Sequence, residues 1–279
     1  LSPVIVGAAL AFERADSLDP IAAGLVLGAA VLVQIATNLQ NDVGYTLRGG
    51  NRSGTHQGQP RATARGWLTV RQVRIGLLLV SIAALSLGLL LAWYRGWPVL
   101  VIGAASLAAA LAYMGGPKPI AYTPLGELTV FVFFGLVAVI GTEWVLAGSA
   151  GILGVLAGMA IGGLASAALA VNNHRDIEHD RSVGRHTFAV LAGAAASRRL
   201  YAALLLGPFL LVIVMAVYAR APSLLLPLAV APLAGRLLRD VRRSQPAVDF
   251  NQILFRTFRL ELRFALLLSA GVLGIGLKL

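Results

Sequence analysis

No cysteine occurs among the 279 residues, so disulfides and thiolate metal sites are unavailable and stability must come from helix packing. Charge is scarce as well: 13% of residues are charged against 58% hydrophobic, with a mean hydropathy of +0.80. A soluble enzyme does not have that balance; a chain crossing a bilayer several times does. Acids are few, 12 against 23 Lys and Arg for a net charge of +11, yet the basic soluble module that nucleic-acid binding needs is missing. The first apolar run, Leu1 to Phe12, lacks the basic flank and small-residue cleavage site of a signal peptide, and is read as a first helix whose true start lies upstream. HExxH and CxxC patterns are absent too, so His174, His179 and His186 read as solvated loop histidines rather than zinc ligands.

What is present is a succession of apolar runs separated by charged breaks. They predict an all-α membrane bundle in a single domain over residues 1–279, with nine helices at about 1–13, 20–44, 70–94, 97–114, 122–147, 150–176, 198–219, 221–238 and 256–277. Three long breaks, 45–69, 177–197 and 239–255, then share one side with the turn at 115–120. All of the 23 basic residues except Arg14, Arg95, Arg220 and Lys278 fall on that side. The positive-inside rule makes it cytoplasmic, with the amino terminus inside and the carboxyl terminus outside. Arg236, Arg239, Arg242 and Arg243 fit contact with membrane lipid headgroups. Phe12, Trp93, Tyr94, Trp97 and Trp144 read as interfacial anchors, Phe131, Phe133 and Phe134 as helix packing, and Gly154, Gly158 and Gly162 as a close helix crossing.

Two polar clusters end apolar runs where polar groups are least welcome. One is Asn38-Leu-Gln-Asn-Asp42; the other runs from Asn172 and Asn173 through Arg175 and Asp176 to Asp180. Asn38 and Asp42 are four apart and share a helical face, and Asn172, Asp176 and Asp180 repeat that spacing. Carboxylates at the hydrocarbon boundary are costly and point to function. Each could instead pair with an arginine such as Arg48 or Arg175, or bridge helices. Together, two amide-plus-carboxylate clusters ringed by arginine suit a hard cation such as Mg²⁺ and a diphosphate.

At these residues the chain resembles the UbiA-type intramembrane aromatic prenyltransferases, and among them the 1,4-dihydroxy-2-naphthoate polyprenyltransferases of menaquinone synthesis. Carrying the resemblance are Gln34 to Asp42 with Gly58 to Thr63 and Gly66 to Val73; Tyr113 to Glu127, similar to a YxGGP…GE stretch; and Asn172 to Asp180 with Gly184 to Thr187, similar to NNxRDxxxDxxxGKxT. It implies helices around a central cavity open to the cytoplasmic side of a bacterial inner membrane. It also implies Mg²⁺-dependent transfer of a polyprenyl group from its diphosphate to an aromatic acceptor, with decarboxylation giving demethylmenaquinone. Asp42, Asp176, Asp180 and Asn38 are the expected metal and catalytic positions, supported by Asn41, Asn172 and Asn173. Arg48, Arg61, Lys118, Arg175 and Arg185 are expected on diphosphate oxygens, and Tyr113, Tyr122 and Glu127 on the acceptor side. The loop from Arg48 to Arg65 is a candidate lid. The chain departs from the family where further acids of the first motif are usual, at Tyr45 and Gly49, and where Arg185 stands for lysine. Asn38 and Asn41 would then complete a weaker site, or Arg48 and Arg52 would take over part of the cation's role. Another acceptor of the 4-hydroxybenzoate type, prenyl cyclisation, or an anion transporter are the alternatives; oligomeric state stays open.

Overall fold

A computed structural model describes residues 1–49, 61–243 and 247–275. Its regular structure is entirely helical among these residues, as a bilayer demands, because helices satisfy their backbone hydrogen bonds within one segment. We number α1 (Ser2–Ala15), α2 (Pro20–Leu47), α3 (Val70–Arg95), α4 (Pro98–Met114), α5 (Gly126–Ala147), α6 (Ile152–Arg175), α7 (Ile177–Ser182), α8 (Phe188–Ala219), α9 (Ala231–Arg243) and α10 (Ala247–Leu273). A 3₁₀ segment, Pro222–Val230, leads into α9.

Helix starts follow their local chemistry. Asp19 caps α2 by accepting from the Ile21 and Ala22 amides at 2.9 and 3.3 Å, with Pro20 at the first helical position. Thr69 and Gln72 form a reciprocal capping box on α3, and Thr187 caps α8. Gly148, with φ +76°, ends α5 in the left-handed conformation that glycine adopts without a Cβ penalty.

Among the described residues five helices, α2, α3, α5, α6 and α8, are long and apolar enough to cross a membrane, while apolar α4 has 17 residues; the chain is an integral membrane protein. Each of the nine expected runs has a helical counterpart, but the breaks differ. The second break contains α7 and the start of α8, which begins at Phe188 and absorbs a kink at Gly193 (φ +80°). That start, Phe188 to Ala192, is apolar, but Arg198 and Arg199 cut it off from the longer apolar run that follows. The third break narrows likewise, since α9 continues to Arg243 and α10 begins at Ala247.

α6 is the central post. Within its most apolar stretch 61% of residues are buried, against 11% for α2 and α3, which turn mostly to lipid. It crosses α5 closely where Gly158 and Gly162 meet Gly135 and Phe131, a contact that side chains would obstruct. α8 lies along another face of α6, with Gly163 against Leu204 and Pro208. α2, α3 and α4 pack as a second group. Arg14 ties α1 to α5 through buried Glu143 at 3.1 Å, and the Gly151 amide donates to the same carboxylate oxygen. The polar clusters thus end α2 and the central post.

Candidate active site

The first cluster lies one turn before the end of α2, because the helix continues to Leu47. Asn38, Asn41, Asp42 and Tyr45 fall on one face at helical spacing. Asp42 turns to the segment at 61–66: its carboxylate accepts from the Ala62 amide at 2.8 Å, the Thr63 amide at 3.2 Å and the Thr63 hydroxyl. Asp42 therefore docks the chain that carries Arg61. The Arg61 guanidinium lies 4.2 Å from the centre of the Tyr45 ring, a cation–π contact strengthened by desolvation. Burial pulls Arg61 below its usual pKa despite the neighbouring Asp42 and Tyr45.

Asp176 interrupts the expected single face of the second cluster. It closes α6 with φ −96°, ψ 12°, so Asp180 sits on the separate helix α7, linked by its amide to the Asp176 carbonyl at 2.7 Å. Arg175 holds Asp176 through two donors at 2.8 and 2.5 Å and also donates to Asn172 and Asn251 at 2.9 and 2.6 Å. Asn173 turns away from Asp176; its amide donates to Glu127 Oε1 at 2.9 Å. Arg185 pairs with Asp180 at 2.7 Å and donates to the Ala121 carbonyl. Asp180 nevertheless keeps its proton to about pH 6, since burial and the Asp176 charge outweigh the arginine's pull.

The two clusters meet through a pair that carried no role in the sequence reading. The Tyr45 hydroxyl and His179 Nε2 share a 2.5 Å hydrogen bond, with both residues buried. Asp176, Asp180, Arg61 and Arg185 all lie within electrostatic reach of that phenol. His179 and His174 are buried, not solvated, and burial moves His179 below its usual pKa; of these three, His186 is the exposed loop histidine. Helical spacing was the available signal for Tyr45, three residues after Asp42. His179 had none, because its partner is 134 positions away.

Tyr122 receives Arg48 and Arg185, each 5.5 Å from its ring centre, and burial pushes its hydroxyl up. Tyr113 and Tyr122 pack against the buried group of Tyr45, Met114 and Ala121. Arg48 also donates to the Gly116 carbonyl. Asn38 and Lys118 are exposed. Arg52 and most of the expected lid lie outside the described residues. Among the described residues no three His, Cys, Asp or Glu side chains cluster as a metal site. The donors that fit a hard cation are oxygens instead: Asp180 Oδ2 and Asn41 Oδ1 are buried and accept no hydrogen bond.

A UbiA prenyltransferase family model matches residues 1–259. Relatives named 1,4-dihydroxy-2-naphthoate octaprenyltransferase include one from Mycobacterium leprae, 37% identical over 82% of this chain and 77% of that protein. Another is from Escherichia coli, 33% identical over 96% and 89%. A UbiA homologue from Aeropyrum pernix shares the fold with TM-score 0.71 at 19% identity, over 97% of this chain and 95% of that one. One from Archaeoglobus fulgidus, bound to GPP and Mg²⁺, has TM-score 0.63 at 14% identity over 96% and 94%. The motifs, the helical fold and these matches agree: the chain belongs to the UbiA prenyltransferase family.

Proposed function

We infer that this protein transfers a polyprenyl group from its diphosphate to an aromatic acceptor of the 1,4-dihydroxy-2-naphthoate type. The observation that carries this is the meeting of the two acidic clusters at Tyr45 and His179, with Arg61 and Arg185 converging beside them. Four charged groups around one buried phenol suit an anionic ligand with a hard cation rather than a packed core. The relatives' names support the acceptor, and the ligands of the A. fulgidus homologue support a prenyl diphosphate and Mg²⁺.

Asp176, Asp180, Asp42 and Asn38 would hold Mg²⁺, with Asn41 and Asn172 in support; Asn173 is engaged with Glu127 instead. When bound, the ion neutralises charge developing on the departing diphosphate. Asp180 Oδ2 and Asn41 Oδ1 already face no other donor, whereas Asp42 and Asn172 would first loosen from Thr63 and Arg175. Arg61, Arg185 and Arg48 grip diphosphate oxygens, with Arg175 and Lys118 as further cations. As the bond from C1 to oxygen breaks, diphosphate leaves and the electron-rich ring carbon bonds to C1. The acceptor carboxylate departs as carbon dioxide. Enclosure among helices keeps water from the allylic cation. Tyr113, Tyr122 and Glu127 line the acceptor side. We place the site at the cytoplasmic face of a bacterial inner membrane, with nine spans in one domain, from the distribution of arginine.

Turnover tests the reading: protein in detergent with Mg²⁺, a prenyl diphosphate and a panel of aromatic acceptors should yield a prenylated product, identified by mass. No product with any acceptor would reject it.

A further inference from the structure

A hollow of about 180 Å³ lies between α8 and α9, at the arginine-rich end of the bundle. Just beyond its bend at Gly193, α8 presents Ala195, Arg198, Arg199 and Ala202 on one face, at i, i+3, i+4 and i+7. α9 contributes Leu238, Val241 and Arg242 at the same spacing. The two alanines leave room, Leu238 and Val241 make the floor apolar, and the three arginines stand around it. Arg236, Arg239 and Arg243 are exposed on α9 but do not line the hollow.

Gathering three cations costs repulsion that something must offset. Among the described residues no carboxylate pairs with Arg198, Arg199 or Arg242. Asp240, two residues from Arg242, is engaged by Arg256 of α10 at 2.7 Å. The arginines that converge on Tyr45 and Tyr122 are different ones. Arg198 is within electrostatic reach of His174 on the last turn of α6. The hollow thus adjoins the central post without sharing a residue with the diphosphate site.

Beyond the hollow, the exposed side of α8 turns apolar. Leu206, Leu210, Ile213 and Val217, all exposed, continue the row of Arg199 and Ala202 at steps of three and four residues. From Leu206 to Val217 the row spans about 16 Å at ~1.5 Å per residue, about half of a ~30 Å hydrocarbon core. A free phosphate would leave that row unused. A diphosphate would bring Mg²⁺, and the lining offers no oxygen side chain to share the ion.

We propose that this hollow is a discrete site for an anionic phospholipid. Arg198, Arg199 and Arg242 hold its phosphate, and an acyl chain lies along Leu206 to Val217. Arginines on the outside of α9 attract any anionic membrane, whereas a hollow walled by two helices holds one headgroup. Bound there, the lipid relieves the repulsion and joins α8 to α9, so it stabilises the fold.

Delipidated protein in neutral detergent, titrated with phosphatidylglycerol and read by native mass spectrometry and thermal melting, tests this. The wild type should keep one lipid per chain through detergent exchange and melt about 5 °C higher at a hundredfold excess over Kd. Phosphatidylcholine should be retained at least about tenfold less. The triple variant Arg198→Gln, Arg199→Gln and Arg242→Gln should lose phosphatidylglycerol about tenfold or more. Ala202→Phe, which fills the hollow and keeps every arginine, should do the same. Arg236→Gln with Arg243→Gln should change retention by less than about twofold. Unchanged retention in both hollow variants overturns the proposal. Equal loss from the outer-face variant also does, since the attraction would then be diffuse. Displacement of the lipid by inorganic phosphate or by geranyl diphosphate at equal concentration overturns it too, by naming another occupant.

Discussion

Asp180 has no exposed surface and sits 2.7 Å from Arg185, yet it titrates near pH 6. Its folded pKa lies above the ordinary carboxylate value, so the folded state favours the proton. The stability it contributes is complete below about pH 4 and is lost as pH rises through about 6, a change of up to about 3 kcal/mol. Melting in detergent should therefore rise on lowering pH from 7.5 to 5 more in the wild type than in Asp180→Asn. Turnover should fall over the same interval, because a protonated Asp180 cannot hold a cation. A melting profile identical in the two proteins would refute this assignment. Arg14→Ala leaves buried Glu143 without its cation and should cost about 3 kcal/mol, read as a lower melting temperature. At this scale the sequence named the acids and most of the arginines but not what each touches. Asp42 and Thr63 are 21 positions apart, and Asn173 and Glu127 are 46 apart. Such partners follow from helix packing, which spacing along one helix does not encode.

Among the helices, α6 does most to position the site, and the glycines at its crossing with α5 let it approach. A Cβ on Gly135 would meet backbone atoms of Gly158 and Gly162 rather than flexible side-chain ends. Gly135→Val should cost about 1–3 kcal/mol and, by pushing α5 outward, disturb the Glu127–Asn173 contact. A thermal shift with unchanged acceptor KM would mean that the crossing stabilises without positioning. Apolar runs located every spanning helix because a bilayer filters for length and hydropathy. α7 escaped, since a short charged helix at a membrane surface resembles a loop, and the apolar first turn of α8 was cut off from its run by Arg198 and Arg199. The π-turn at Phe131–Val137 left no trace either; it arises where α5 packs on α6.

For the whole molecule, charge distribution makes a claim that the helices alone do not. Arginine-rich ends and the site share one side of the bundle, which we place in the cytoplasm. The absence of cysteine makes single-cysteine variants clean reporters. Glu178→Cys, at an 85% exposed side chain beside the site, should react with an impermeant maleimide only in inverted vesicles. Trp97→Cys should react only in right-side-out vesicles. The opposite pattern would reverse the topology.

The central claim is that the joined clusters hold and activate a prenyl diphosphate for an aromatic acceptor. Diphosphate release by the purified protein with Mg²⁺, a prenyl diphosphate and dihydroxynaphthoate, compared with Asp176→Asn, tests it most directly. The account predicts release matched by prenylated product in the wild type and none in Asp176→Asn. No release from the wild type, or full activity in Asp176→Asn, would contradict it.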